Sequence, residues 1–190
     1  MQMEQIRKHF EKNGALSNAD WELFASKLIR QQFPKRTLLL KNGQTERYLS
    51  FIEKGTVRFY TEQEERELTF SFAFANGFVS GYDSFLTQTP SGYYIETLTE
   101  TWLWRITHED LQQVYGETAA GNAIGRYAGE ELFLKKSRRE LSLLNETPAQ
   151  RYLNLLTGQP ELLQKIPLKY LASYIGITPQ ALSRIRRRIY

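Results

Sequence analysis

The 190 residues are 41% hydrophobic and 24% charged with a net charge of +4, the composition of an ordinary soluble chain of one large or two small domains. The absence of cysteine excludes structural disulfides, thiolate-bound zinc, iron–sulfur clusters and thiol catalysis. No run reaches the roughly 18 apolar residues of a membrane helix, and the polar, mixed-charge start does not read as a secretory leader, so a cytoplasmic chain with no membrane partner is expected.

In chain order, residues 18–31 are expected to be helical. Ser17 and Asp20 form a capping-box pair, and Trp21, Phe24, Ala25 and Leu28 make an apolar stripe. After Pro34 the pattern changes to short β-like runs at 37–41, 48–53, 56–61, 67–74, 93–99 and 101–106, separated by turn signals such as Asn42-Gly43, Lys54-Gly55 and Asn76-Gly77. Many short strands at this spacing predict an antiparallel sandwich or jelly-roll barrel. Thr107 to Asp110 is a second capping box that restarts helix. A long helix is expected from about Glu117 to Asn145, with apolar positions Ala120, Ile124, Tyr127, Leu132, Leu134, Leu141 and Leu144, although Gly121, Gly125 and Gly129 weaken its start. At about 1.5 Å per residue such a helix spans about 42 Å, more than one small barrel covers, so a second copy of the same helix is the expected partner.

The final segment, 168–190, is expected to be a helix-turn-helix. Leu171, Ile175, Ile177, Leu182 and Ile185 are spaced to be buried between two short helices, Ala172 is small where they cross, and Gly176 suits a turn with positive φ. Thr178 caps the second helix, with Pro179 at its first position. The remaining face carries Gln180, Ser183, Arg184, Arg187 and Arg188, side chains suited to base edges and phosphates in a DNA major groove. Thr178 would face base edges with them, and Lys169 would contact phosphate. Charge distribution agrees: residues 148–190 hold seven basic residues against the single acid Glu161, a net +6, leaving −2 for the rest.

This order of N-terminal helix, small barrel, long helix and helix-turn-helix resembles the Crp/Fnr family of bacterial transcription regulators. Residues 166–188 are similar to its two helix-turn-helix helices and 147–152 to its hinge. Glu53-Lys-Gly55, Val57 to Tyr60 and the stretch from Gly77 to Phe85 are similar to its effector hairpin and cassette. The resemblance implies an α+β fold: a cyclic-nucleotide-binding-like jelly-roll domain at 1–116, a dimerisation helix at 117–146 and a helix-turn-helix at 147–190 that lacks a complete wing after Tyr190. It implies a cytoplasmic homodimer on a roughly palindromic double-stranded DNA operator, with half-sites about 34 Å apart and RNA polymerase as a further partner.

The cassette departs from the family pattern, because no Arg or Lys occurs between Arg66 and Arg105. Burying a phosphodiester without a cation costs several kcal/mol or more, which argues against cyclic AMP bound in the usual way; no cofactor is expected and the effector is left open. Tyr82, Asp83 and Ser91 are the candidate effector contacts. Asp83 stands near the family's ribose-binding place, though a surface carboxylate is the commoner reading, and Tyr82, Tyr93 and Tyr94 suit an aromatic effector or, more commonly, barrel core. His9 and His108 are expected at the surface, Glu64-Glu65 and Glu130-Glu131 in solvated stretches, and no P-loop, HExxH or nucleophile-elbow spacing occurs, so an enzyme is not expected. Two other readings stay open: a small-molecule sensor acting through protein contacts, and a dimeric regulator without an effector.

Overall fold

The computed structural model describes residues 3–11, 16–64, 66–118 and 121–189, with the side chains of 123, 124 and 161 outside the description. The chain divides into two compact units, Met1–Phe59 with Phe72–Glu131, and Tyr60–Ser71 with Leu132–Tyr190.

The first unit begins with helices α1 (Met3–Glu11) and α2 (Asn18–Ser26), the latter capped by the Ser17 hydroxyl, which accepts the Asp20 N–H at 3.1 Å. The expected helix over 18–31 is corrected here. Lys27 closes it by donating its N–H to Phe24 and Ala25, and the chain turns into strand β1 (Ile29–Phe33). Pairing across the sheet overrides the local helical pattern, because each residue of β1 is in register with one of β8 (Thr101–Thr107).

Between them run β2 (Leu38–Leu40), β3 (Tyr48–Lys54), β4 (Thr56–Gln63), β5 (Arg66–Phe74), β6 (Phe78–Val79), helix α3 (Tyr82–Thr87) and β7 (Tyr94–Thr97). The six expected strands are all present, with ends shifted by a few residues. β1 and the two-residue β6 were not anticipated, being too short or too polar to show an alternating pattern. The strands form two four-stranded sheets in the orders β1-β8-β3-β6 and β2-β7-β4-β5, a jelly-roll sandwich.

Alternation along the strands makes two apolar layers. Leu40, Ile52, Val57, Ala73, Val79, Ile95 and Leu103 fill the space between the sheets. Phe51 and Ile106 point the other way, into a layer closed by Ile6, Phe10, Phe24, Leu111 and Val114 of the helices. The two histidines belong to this layer and not to the surface: both are half-buried, His9 edge-on to Phe78 at 5.1 Å and His108 edge-on to Phe85 at 5.1 Å.

The β3–β4 turn depends on Gly55, whose φ is +121° and whose missing Cβ would lie 2.8 Å from the Thr101 Cα. Replacing Gly55 with alanine forces both backbone strain and a clash with β8. A cost of about 2–3 kcal/mol is expected, lowering the melting temperature by roughly 4–12 °C; an unchanged melting curve would contradict this packing.

Helix α4 (His108–Glu117) starts at Thr107, whose hydroxyl accepts the Asp110 N–H at 3.1 Å. It ends at Glu117, where the long helix was expected to begin. Thr118 is extended and returns both its N–H and its hydroxyl to the Val114 carbonyl, and the long helix α5 runs over Gly121–Asn145. At 25 residues it is about 37 Å long. Of its expected apolar positions, Ala120 and the side chain of Ile124 lie outside the described residues. Tyr127 and Leu132 are half-buried, and Leu134, Leu141 and Leu144 are exposed.

The second unit holds the rest of α5, the outer part of the β4–β5 hairpin, and helices α6 (Pro148–Gly158), α7 (Pro160–Lys165), α8 (Leu168–Ile175) and α9 (Pro179–Ile189). Thr147 and Gln150 form a complete capping box at the start of α6. Among the described residues, no helix is long and apolar enough to cross a membrane.

Candidate nucleic-acid interface and effector cassette

Helices α8 and α9 form the expected helix-turn-helix. Leu171, Ala172, Ile175 and Leu182 are buried where the helices meet, while Ile177 and Ile185 are half-buried at the edge of the contact. Gly176 takes φ +88°, and the N–H groups of Gly176 and Ile177 both reach the Ala172 carbonyl, closing α8 with a left-handed cap. Thr178 starts α9 by accepting the Ala181 N–H on its hydroxyl at 3.2 Å.

The charge pattern of α9 then follows from its amphipathicity. With Leu182 sealed inward, Gln180, Arg184, Arg187 and Arg188 are exposed on the remaining surface, and Ser183 is half-buried beside them. Thr178 and Lys169 are also exposed, the latter 5.8 Å from the Tyr170 ring centre.

Polar clamps hold α8, and these were not visible in the sequence. Arg151 on α6 donates from Nε to the Ile175 carbonyl at 2.9 Å and from Nη1 to the Glu146 carbonyl, bridging the ends of two helices. Arg139 on α5 donates to the Tyr174 carbonyl, with its guanidinium 4.0 Å from the Tyr174 ring centre. Cations at the C-terminus of α8 also suit its dipole. On another side, the Ser173 hydroxyl accepts the Thr69 N–H at 2.8 Å and donates to the Glu67 carbonyl at 3.0 Å, completing hydrogen bonds that β5 would otherwise make to a further strand. Helix termini and strand edges attract such partners, but which side chain reaches them depends on the tertiary fold.

The cassette satisfies its own polar groups. Helix α3 carries no cation, as its sequence shows. The buried Glu46 carboxylate accepts the N–H groups of Arg47 and Tyr48 at 3.0 Å each and that of Gly81, the residue before α3, at 3.1 Å. Burial pushes the Glu46 carboxyl above the ordinary carboxylate range, an effect partly opposed by those hydrogen bonds.

Of the candidate effector contacts, Tyr82 is half-buried, stacked on Phe85 and packed against the helical layer. Asp83 is exposed and accepts the Tyr93 phenol proton, while burial, followed by this contact, raises the Tyr93 pKa. Ser91 is buried in a turn, with its hydroxyl on the backbone of Tyr93. Asp83 and Ser91 thus meet through Tyr93, and Tyr82 packs elsewhere.

Sequence reasoning missed a buried cation inside the barrel. Arg105 follows the cation-free stretch in the chain but points between the sheets, on the same face of β8 as Leu103. It is 9% exposed, and burial lowers its pKa against the opposing effect of Glu46. Strand alternation from Leu103 was the signal that could have found it. Among the described residues, no group of three or more His, Asp or Glu side chains is placed to hold a metal.

Residues 30–118 match the family model described as the cyclic nucleotide-binding domain. The rest of the architecture is placed by solved structures. The c-di-GMP responsive global regulator CLP of Xanthomonas campestris is 22% identical with a TM-score of 0.69, covering 91% of each chain. A protein from Eubacterium rectale described as a transcriptional regulator of the Crp/Fnr family is 21% identical with a TM-score of 0.67, covering 91% of this chain and 83% of its own. The catabolite activator protein of Thermus thermophilus is 18% identical with a TM-score of 0.57, covering 92% and 84%. Among curated protein sequences none matches. The chain has the Crp/Fnr fold: a cyclic-nucleotide-binding-type barrel, a long helix and a helix-turn-helix.

Proposed function

We propose that the chain is a homodimeric transcription regulator of Crp/Fnr type that reads double-stranded DNA with α9. The observation that carries this reading is the two-sided character of that helix. Leu182 is fully buried, whereas Gln180, Arg184, Arg187 and Arg188 stand exposed on the surface left over. Such a helix offers bidentate donors to base edges while its packing fixes their position. The functional division is 1–116 for sensing, 117–146 for dimerisation and 147–190 for DNA.

The dimer reading rests on α5. Leu134 and Leu141 are seven residues apart, as are Ser137 and Leu144, and the two series interleave in a heptad seam. Within this seam Leu134 is 50%, Leu141 54% and Leu144 74% exposed. A second copy of α5 would pair with this repeat over residues 134–144.

The input is proposed not to be a cyclic nucleotide bound in the usual way, and no resident cofactor is proposed. Helix α3 lacks a cation, Glu46 already holds the Gly81 N–H, and Tyr93 engages Asp83.

Changing Arg184 to Ala is expected to lower affinity for the preferred operator by about 5- to 150-fold and to relax selectivity at one base pair per half-site, because a bidentate Arg–guanine contact contributes about 1–3 kcal/mol of discrimination. Changing Lys169 to Ala instead weakens all sequences alike and reduces the salt slope by about 1. Titrations against an operator-variant series separate the two. If the Arg184 variant binds every operator as the unaltered chain does, the base-reading assignment is wrong.

A further inference from the structure

We propose that the barrel holds a small monocarboxylate with an aromatic or apolar body, and that Arg105 is its anchor. Three arginines of the barrel allow a direct comparison. Arg58 is paired with Glu96 at 2.6 Å, and Arg30 makes two hydrogen bonds to Glu53 at 2.7 and 2.9 Å. Arg30 is exposed, whereas Arg105 is buried like Arg58, yet among the described residues it has no carboxylate within 4.0 Å. Its Nε reaches the Ser50 hydroxyl at 3.3 Å and its Nη1 the Gln31 side-chain carbonyl at 2.8 Å, both neutral. Its Nη2 makes no hydrogen bond to a described residue. A buried guanidinium is costly without an anion, and the chain supplies one directly to Arg58.

The surroundings define the anion. The Tyr48 ring centre lies 3.8 Å and the Phe33 ring centre 5.4 Å from the guanidinium carbon. These contacts position aromatic surface around the guanidinium while its Nη2 edge stays available for in-plane donation to a carboxylate. Glu46 acts on Arg105 electrostatically, but its carboxylate oxygens accept backbone N–H groups. Its charge opposes a second negative charge nearby, which favours a monoanion over a phosphate dianion. At the sheet edge beside it, Ile29 of β1, in register with Arg105, is 49% exposed, and Gln31 and Tyr48 are half-buried.

The assignment rests on the sensor half of the proposed function and is independent of DNA binding, because its readout is ligand binding by the full chain without DNA. Thermal shift and calorimetry are run with benzoate, phenylacetate and octanoate, with benzyl alcohol as the neutral isostere and inorganic phosphate and cyclic AMP as comparators. At least one carboxylate is expected to bind saturably and raise the melting temperature by about 3 °C or more, while benzyl alcohol does not. Arg105→Lys is expected to weaken that binding at least tenfold, and Arg105→Met to abolish it. Should Arg105→Met fail to fold, the lysine variant decides alone. Equal binding by the lysine variant, no binding by any carboxylate, or binding confined to phosphate or cyclic AMP would each overturn the proposal.

Discussion

Replacing Leu182 with alanine is expected to remove operator binding while leaving the barrel folded. Leu182 has no exposed surface, and α9 packs against α8, whose Leu171, Ala172 and Ile175 are buried as well. Large-to-small changes at such sites cost about 2–5 kcal/mol, a large share of the stability available to a unit this small. Hydrogen exchange would show lost protection across α8 and α9, with the strands of the sandwich keeping theirs. Unaltered protection and affinity would mean that the helix pair does not depend on this contact.

Placing glutamate at both Leu141 and Leu144 is expected to give a folded monomer that binds operator at least about 100-fold more weakly. These side chains are already exposed in the single chain, so stability within one chain changes little. What is lost is the heptad seam, in which like charges would face each other across two helices. The two DNA-reading helices then bind as separate molecules, and the gain from a high effective concentration disappears. Sedimentation velocity together with a DNA titration provides the check. A dimer that survives both substitutions would show that the second copy docks elsewhere.

How much of this was legible in the sequence depended on whether the information was local. The caps at Ser17, Thr107 and Thr178 could be read because each is a hydrogen bond made within three residues. The helix-turn-helix was legible for a related reason: Ala172, Gly176 and Leu182 encode burial, turn and burial within eleven residues. Local pattern misled where a distant strand decided the outcome. Residues 29–31 continue a helical stripe, yet their backbone pairs with β8 more than 70 positions away.

The cassette shows the same limit in its chemistry. A scan for cations between Arg66 and Arg105 finds none, but sequence separation is not distance in a jelly roll. Strand β8 brings Arg105 beside Ser50 of β3 and Gln31 of β1, and Glu46 reaches Gly81 across 35 residues. The arginine clamps on α8 were hidden likewise, since nothing near Arg139 or Arg151 indicates which carbonyl each will meet. Residues that read outward, such as Arg184, are exposed by a local rule, whereas residues that read inward are positioned by the whole fold.

The central claim is that two copies of α9 read DNA from a dimer held together by α5. Selection of bound sequences from a random double-stranded pool by the full-length chain tests it most directly. The expected result is a palindromic motif with half-site centres about one helical turn, roughly 10 base pairs, apart, which the Arg184→Ala chain enriches with relaxed preference at one position per half-site. Failure to enrich any motif, or enrichment of an asymmetric motif that Arg184→Ala leaves unchanged, would contradict it.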